Sequence, residues 1–136
     1  MFILLNDVST DLEDPPAYLA NPPAKPEYDF ERCKAPTRKL YENLTNHELP
    51  MSTAEVFGLV RLLVSERNWR VTARDDEAHR IQAVAITTFC RFRDDVMIEV
   101  RPKSGGAIVA MRSKSRIGRG DLGTNARRIR KFFRDL

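Results

Sequence analysis

Gly118-Arg119-Gly120-Asp121-Leu122-Gly123 fits the pattern G-x-G-x-x-G. Glycines at this spacing let a backbone turn tightly and bring its N–H groups up to an anion. The start of a following helix then adds a favourable dipole. Just upstream, Arg112, Lys114 and Arg116 alternate with Ser113 and Ser115. If that stretch is a strand, the three cations share one face and the two hydroxyls the other. Asn125 and Arg128 follow at the head of a predicted helix. Arg112, Ser113, Lys114, Ser115, Arg116, Gly118, Gly120, Asp121, Gly123, Asn125 and Arg128 therefore form a candidate site for a small anion, a phosphate or a carboxylate. Two plainer readings stand beside it. The glycines serve only the shape of a loop, or the anion is the protein's own Asp11, Glu13 or Asp14. A dinucleotide site is not expected: no second parallel strand follows the helix, and no acidic residue comes about twenty positions on.

Other reactive residues are less suggestive. Asp94 and Asp95 are adjacent, so on a strand they point to opposite faces and do not converge on one ion. A bend paired with Arg91, Arg93 or Arg101 is the favoured reading. His47 and His79 have no second histidine or cysteine at zinc-like spacing. Cys33 and Cys90 are far apart, and two reduced thiols are the expectation. No G-x-S-x-G elbow is present. Thr87, Thr88 and Cys90 read as strand residues. No catalytic residue, metal or cofactor is expected.

The elements that must position these groups follow from periodicity. Ser52 and Glu55 form a capping box with Met51 and Val56 as its staple. Val56, Leu59, Val60 and Leu63 then make one helical face, ending near Asn68. Short strands are predicted over 69–74, 80–93, 96–101 and 107–113. Asp75-Asp76-Glu77 and Asp94-Asp95 are bends, and Lys103-Ser104-Gly105-Gly106 is a hairpin turn. Strands joined this tightly are antiparallel. A last helix over 124–135 carries Leu122, Ala126, Ile129, Phe133 and Leu136 on a core-facing stripe, with Arg127, Arg128, Arg130, Lys131 and Arg134 on the rest. The fold class is α+β: a small antiparallel sheet with two helices packed on one face.

Residues 1–50 read differently. Prolines recur at Pro15, Pro16, Pro22, Pro23, Pro26, Pro36 and Pro50, and each removes a donor and restrains its predecessor. The expectation is an extended proline-rich arm over 1–50, with a short helix over 38–46, and a single α+β domain over 51–136. Asp11, Asp14, Pro15, Pro16, Tyr18, Tyr28 and Phe30 are its candidate partner-binding residues. Phe2-Ile3-Leu4-Leu5 is too short to span a bilayer, and reads as a first strand or a membrane-proximal stub. No basic stretch precedes it, so it is not expected to be a signal peptide.

Several motifs resemble the domain-of-unknown-function family numbered 1499. Asn6-Asp7-Val8-Ser9-Thr10-Asp11 with Asp14-Pro15-Pro16 is one. Thr87-Thr88-Phe89 through Arg91-Phe92-Arg93 to Asp94-Asp95-Val96 is another, and Val100-Arg101-Pro102 a third. The longest runs from Arg112-Ser113-Lys114-Ser115-Arg116-Ile117-Gly118 through Gly120-Asp121-Leu122-Gly123 and Asn125-Ala126 to Arg128-Ile129-Arg130. The resemblance covers almost the whole chain and implies no reaction or ligand. Some members of that family look membrane-associated or organellar.

Charge layout points to binding. The net charge of +4 hides an acidic front and a basic end. Residues 1–31 hold seven acids against Lys25, a net of −6, while residues 101–136 hold eleven Lys or Arg against Asp121 and Asp135, a net of +9. Such asymmetry suits either an arm folded onto its own basic end or a basic face held out to a polyanion. The leading expectation is a non-enzymatic binding or accessory protein whose arm and basic end dock onto a larger protein partner. A small anionic ligand or an enzyme site at Gly118–Gly123 is the alternative. Nucleic acid ranks lower, because no aromatics interleave with the cations as in single-strand binders. A soluble protein is expected, with peripheral association with a membrane left open.

Overall fold

The structure is a computed structural model and describes residues 5–19, 26–88, 91–118 and 120–136. Its elements are β1 (Asp7–Ser9), α1 (Pro26–Leu40), β2 (His47–Leu49), α2 (Thr53–Glu66), β3 (Arg70–Asp75), β4 (Arg80–Ile86), β5 (Arg93–Lys103), β6 (Gly106–Ser115) and α3 (Thr124–Asp135). The fold is α+β, with a six-stranded antiparallel sheet in the order β1-β6-β5-β4-β3. β2 also pairs with β6. β1 runs beside Arg112–Lys114 and β2 beside Ala107–Val109, so the outer edge of β6 is covered by two short strands from the first fifty residues. A covered edge removes a row of unpaired backbone groups.

Among the described residues the first fifty supply β1, α1 and β2 and show no extended arm, and three helices are present rather than the two expected. α1 forms despite its prolines. Pro26 occupies its first position, where no N–H is needed, and Phe30, Cys33 and Thr37 recur at steps of three and four, all buried. Pro36 is carried inside the helix, four residues before its end. The short helix expected over 38–46 is absent; only its first residues belong to α1.

α2 begins as its capping box predicts. The Glu55 N–H donates to Ser52 Oγ at 3.2 Å, and the Ser52 hydroxyl donates to Glu55 Oε1 at 2.9 Å. Val56, Phe57, Val60 and Val64 of α2 and Ala126, Ile129 and Phe132 of α3 close one face of the sheet over Val8, Val96, Ile98, Val100, Val109 and Met111. The other face of β6 and its neighbours carries Gln82, Met97, Ala110, Arg112 and Lys114, all buried. Residues 10–19 and Phe30 of α1 cover this second face.

The sheet departs from the expected strands at two places. The predicted strand over 80–93 breaks after Ile86. The Thr87 N–H donates to Phe92 O at 2.9 Å, the Phe92 N–H donates to Thr87 Oγ1 at 2.8 Å, and Arg91 takes a positive φ of 53°. Asp94 and Asp95 lie inside β5 rather than in a bend. Gly106, opposite Lys103 in a two-residue hairpin, is glycine because β2 passes close by: a Cβ there would sit 2.1 Å from Leu49 O.

Candidate functional site

Arg112 and Lys114 of β6 lie on one face as the sequence predicts, but that face is inside the protein, and Arg116 just beyond the strand is exposed. The strand persists to Ser115. In register with Arg112, Ser113 and Lys114 are Ser9, Val8 and Asp7, so Asp7 is brought to the cations. Arg112 Nε and Nη2 donate to Asp7 Oδ1 and Oδ2 at 2.9 and 2.7 Å, a forked ion pair that is almost fully buried. The guanidinium also lies 4.9 Å from the ring centres of both Tyr18 and Phe30. Lys114 beside it is 1% exposed. Arg116 forks onto Asp95, with Nε and Nη2 at 2.8 and 2.9 Å from its oxygens; that bond holds Arg116 protonated even beyond the usual arginine range. Burial among these groups, with the charge of Asp7 next, holds the Tyr18 hydroxyl protonated far into alkaline pH.

The acidic segment folds onto the protein's own cations, but away from the expected site: Asp7 meets Arg112, whereas Asp11 and Asp14 reach Arg101 and Glu13 reaches Arg38. Asp11 Oδ2 accepts from Arg101 Nη1 at 2.8 Å and Asn46 Nδ2 at 3.0 Å, while its Oδ1 accepts the Glu13 and Asp14 N–H groups. Burial alone would raise this carboxyl; the donors outweigh it and hold it below the usual range. The Asp14 carbonyl accepts from Arg101 Nη2. Pro15 is half-buried, Pro16 and Phe30 are buried, and Tyr18 is half-buried with its hydroxyl 3.5 Å from the Asp95 carbonyl oxygen. Pro15, Pro16, Tyr18 and Phe30 therefore pack against their own domain, while the Asp14 side chain is exposed. The side chain of Tyr28 lies outside the described residues, as do Phe2, Ile3, Leu4, Cys90 and Arg119.

The opposite face of β6 carries the hydroxyls. Ser113 Oγ donates to Asn125 Oδ1 at 2.6 Å and Asn125 Nδ2 donates to Ser115 Oγ at 3.0 Å. Arg128 Nη1 donates to Ser113 Oγ at 3.1 Å and Asn125 Oδ1 at 3.0 Å. The same nitrogen lies 2.8 Å from Asp94 Oδ2. Arg128 thus ties Asp94 into the same cluster by a close ion pair. Burial raises the Asp94 carboxyl above the usual range, against the lowering charge of Arg128.

The glycine loop is shaped by Gly118 and Gly123, with φ of 86° and 82°. It is tied down by Asn6 Nδ2 donating to Gly118 O at 2.7 Å and by the Asp121 N–H donating to Leu5 O at 2.7 Å. The N–H groups of Gly123 and Asn125 donate to the Asp121 carboxylate at 2.8 and 3.0 Å. Asp121 is thus the anion that the start of α3 attracts. Leu122, expected in the core, is 86% exposed and has a positive φ of 53°; it precedes the first helical turn, so the stripe periodicity does not reach it. Phe132 takes the core place expected for Phe133.

Two concave surfaces adjoin this loop. The first is a cleft of about 590 Å³ between the β4–β5 loop, the end of β6 and the start of α3. Asp94, Ser115, Thr87, Thr88 and Arg128 are among its polar walls, and Ile86, Phe92, Ile117 and Leu122 its apolar ones. The second is a groove of about 950 Å³ between α3 and residues 43–47, lined by Arg127, Arg130, Lys131, Arg134, His47 and Phe133 among others. No aspartate or glutamate lines it. The sequence carries a signal for the groove, the cations off the core stripe of α3. It carries none for the cleft's apolar rim, whose members come from three separate segments.

The sequence model of a family described as "Protein of unknown function (DUF1499)" matches residues 7–136. The chain belongs to this family. No curated relative matches. The motifs that carry the family resemblance meet in space: the second and the longest frame the cleft, and the first lies on the buried charge layer of β6. Among the described residues no group of three or more His, Cys, Asp or Glu is placed to hold a metal, and no helix is long and apolar enough to cross a membrane. His47 stacks on Phe133 at 5.3 Å and His79 meets Phe57 edge-on at 5.4 Å. Cys33 is a buried free thiol whose burial raises it.

Proposed function

We propose that this DUF1499 protein is a non-enzymatic binding protein that docks onto a larger partner through its basic end, in the groove along α3. The observation that carries this reading is that four cations line the groove and no Asp or Glu side chain does. The cations of β6 are already matched inside the fold, so they add little to any external field. Arg127, Arg130, Lys131 and Arg134 are exposed and can attract and orient an anionic partner.

The occupant this favours is an extended acidic segment of a protein. The cations fall between Arg127 and Arg134, about 10 Å along a helix at 1.5 Å per residue. Three or four residues of extended chain cover that length at about 3.3 Å each. The aromatic faces that could stack bases are engaged: Phe133 lies on His47, and Tyr41 lies beneath Arg130 at 5.3 Å. That disfavours single-stranded nucleic acid.

The test compares a glutamate-rich decapeptide, a single-stranded oligonucleotide of similar charge and inorganic phosphate, titrated against the whole chain at low and moderate salt. The expected result is peptide binding that weakens with salt and is lost in the triple variant Arg130→Glu, Lys131→Glu, Arg134→Glu. Unchanged peptide binding in that variant, or tighter binding of the oligonucleotide, would overturn the reading.

A further inference from the structure

The sheet is covered at one edge and open at the other. β1 and β2 cover β6, whereas β3 is the last strand and, among the described residues, pairs with β4 alone. An unpaired edge is a template for another strand, and two-fold dimers are the commonest assemblies of soluble chains. We propose that β3 is a self-association surface. The β3 of a second copy lies antiparallel against it, related by a two-fold axis that passes between Thr72 and Ala73. This surface shares no lining residue with the groove along α3.

The occupant follows from the order of charges along the strand, Arg70-Val71-Thr72-Ala73-Arg74-Asp75. Turned end for end, the same strand sets its Asp75 opposite Arg70, its Arg74 opposite Val71 and its Ala73 opposite Thr72. The axis repeats each contact, so one Arg–Asp pair forms at each end. Charges on an edge keep copies apart when like signs meet. Here the reversal brings opposite signs together, and opposed ion pairs stabilise neighbouring strands.

Opposed side chains must also stand on one face of the sheet. In a regular strand they would not, because Arg70 and Asp75 are five positions apart and successive side chains alternate. The bulge in β3 changes this. Val71 pairs with Ala83 and Arg74 with Ile81, and both partners belong to the core beneath α2. Arg70 pairs with Val84 and Asp75 with Arg80, on the other face. The register shift between Val71 and Ala73 therefore puts Arg70 and Asp75 together on one face and Val71 and Arg74 together on the other, as the two-fold pairing requires.

The exposed side chains suit this partner. Val71 is 46% exposed and shares with Arg74 a hollow of about 420 Å³ against the end of α2. The methylenes of the copy's Arg74 can lie over Val71 while its guanidinium stays in water. Within the chain, Arg74 Nε lies 2.8 Å from Asp76 Oδ1 in an exposed pair, which costs little to rearrange. A strand of six residues spans about 20 Å. Edge pairing of that length buries less than a stable interface needs, so the dimer is weak and forms at high protein concentration.

The experiment is sedimentation equilibrium of the whole chain at low salt, with amide chemical shifts followed by NMR over the same concentrations. A reversible monomer–dimer transition is expected between roughly 10 μM and 1 mM, with shifts centred on residues 70–75. Arg70→Asp and Asp75→Arg should each weaken the dimer at least tenfold, because like charges then meet at both ends. Mixed in equal amounts, these two variants should form a heterodimer as tight as the wild-type dimer, since an acidic strand then faces a basic one. Asp75→Arg also loses the acceptor of the Ala78 N–H, so its melting temperature is measured separately. Arg70→Asp alters only an exposed side chain and decides the matter if the other variant does not fold. A monomer throughout the range, shifts centred elsewhere, an Arg70→Asp dimer as tight as the wild type, or two folded variants that ignore each other when mixed would each overturn the proposal. The groove variant should dimerise as the wild type does, which separates failure here from failure of the docking reading.

Discussion

Replacing Asp7 with asparagine should be among the most damaging conservative changes available in this chain. Asp7 is fully buried at its side chain, and both of its oxygens accept from Arg112, whose side chain is 7% exposed. Asparagine keeps the volume but loses the charge and offers an amide N–H to a guanidinium that has no lone pair to accept it. The Arg112 cation would then remain between the Tyr18 and Phe30 rings without the Asp7 carboxylate. Removing one partner of a buried pair costs about 3–5 kcal/mol, about a fifth or more of a typical domain stability of about 5–15 kcal/mol. For a chain of this size that corresponds to a fall of roughly 10–15 °C in melting temperature. The same pair can be removed whole. Asp7→Asn with Arg112→Met leaves no charge of the pair behind, and should cost clearly less than the two single changes summed. Urea unfolding of the four proteins, followed by far-ultraviolet circular dichroism with slopes compared, gives the cycle. A cost below about 1 kcal/mol for Asp7→Asn, or strict additivity, would refute the claim that this pair organises the layer between β1 and β6.

Deleting residues 1–50 should not yield a folded domain over 51–136. It removes β1 and β2 and bares the whole outer edge of β6, so aggregation and loss of cooperative unfolding are expected by light scattering and thermal melts; a monomeric, cooperatively melting fragment would contradict this. Asp11 gives a pH signature. Its folded-state pKa is lowered, so ionisation favours the fold, and its contribution is present above the ordinary aspartate value of about 3.9 and lost as pH falls through the folded value. Asp11→Asn should therefore be destabilised at neutral pH and approach the wild type in acid; a gap that stays constant from pH 7 to pH 2 in chemical unfolding would refute this. Its partners are partly exposed, so the effect should shrink in high salt.

Much of the scaffold was legible before any coordinates. The α2 capping box, the Ser104-Gly105 hairpin and the antiparallel order from β3 to β6 depend on neighbours within a few positions, where local chemistry decides. α1 was not legible, because its prolines argue against a helix and its buried stripe of Phe30, Cys33 and Thr37 is short and partly polar. The break of the long strand at Ile86 was hidden for a similar reason: a threonine hydroxyl and one positive φ at Arg91 leave no mark on the hydrophobic pattern.

The glycine loop shows the division most clearly. By itself the sequence determined that the alternating cations Arg112 and Lys114 share a face, that glycines shape the following turn, and that α3 carries its charge off the core stripe. Only the tertiary structure decided which of those charges meet solvent. β1 lies in register with β6 and carries Asp7 to Arg112, Asp121 folds back onto its own loop, and α3 turns its outer face to open space. Periodicity records which side of an element a residue takes. What stands on that side is set by pairing between segments a hundred residues apart, and local pattern carries no trace of it.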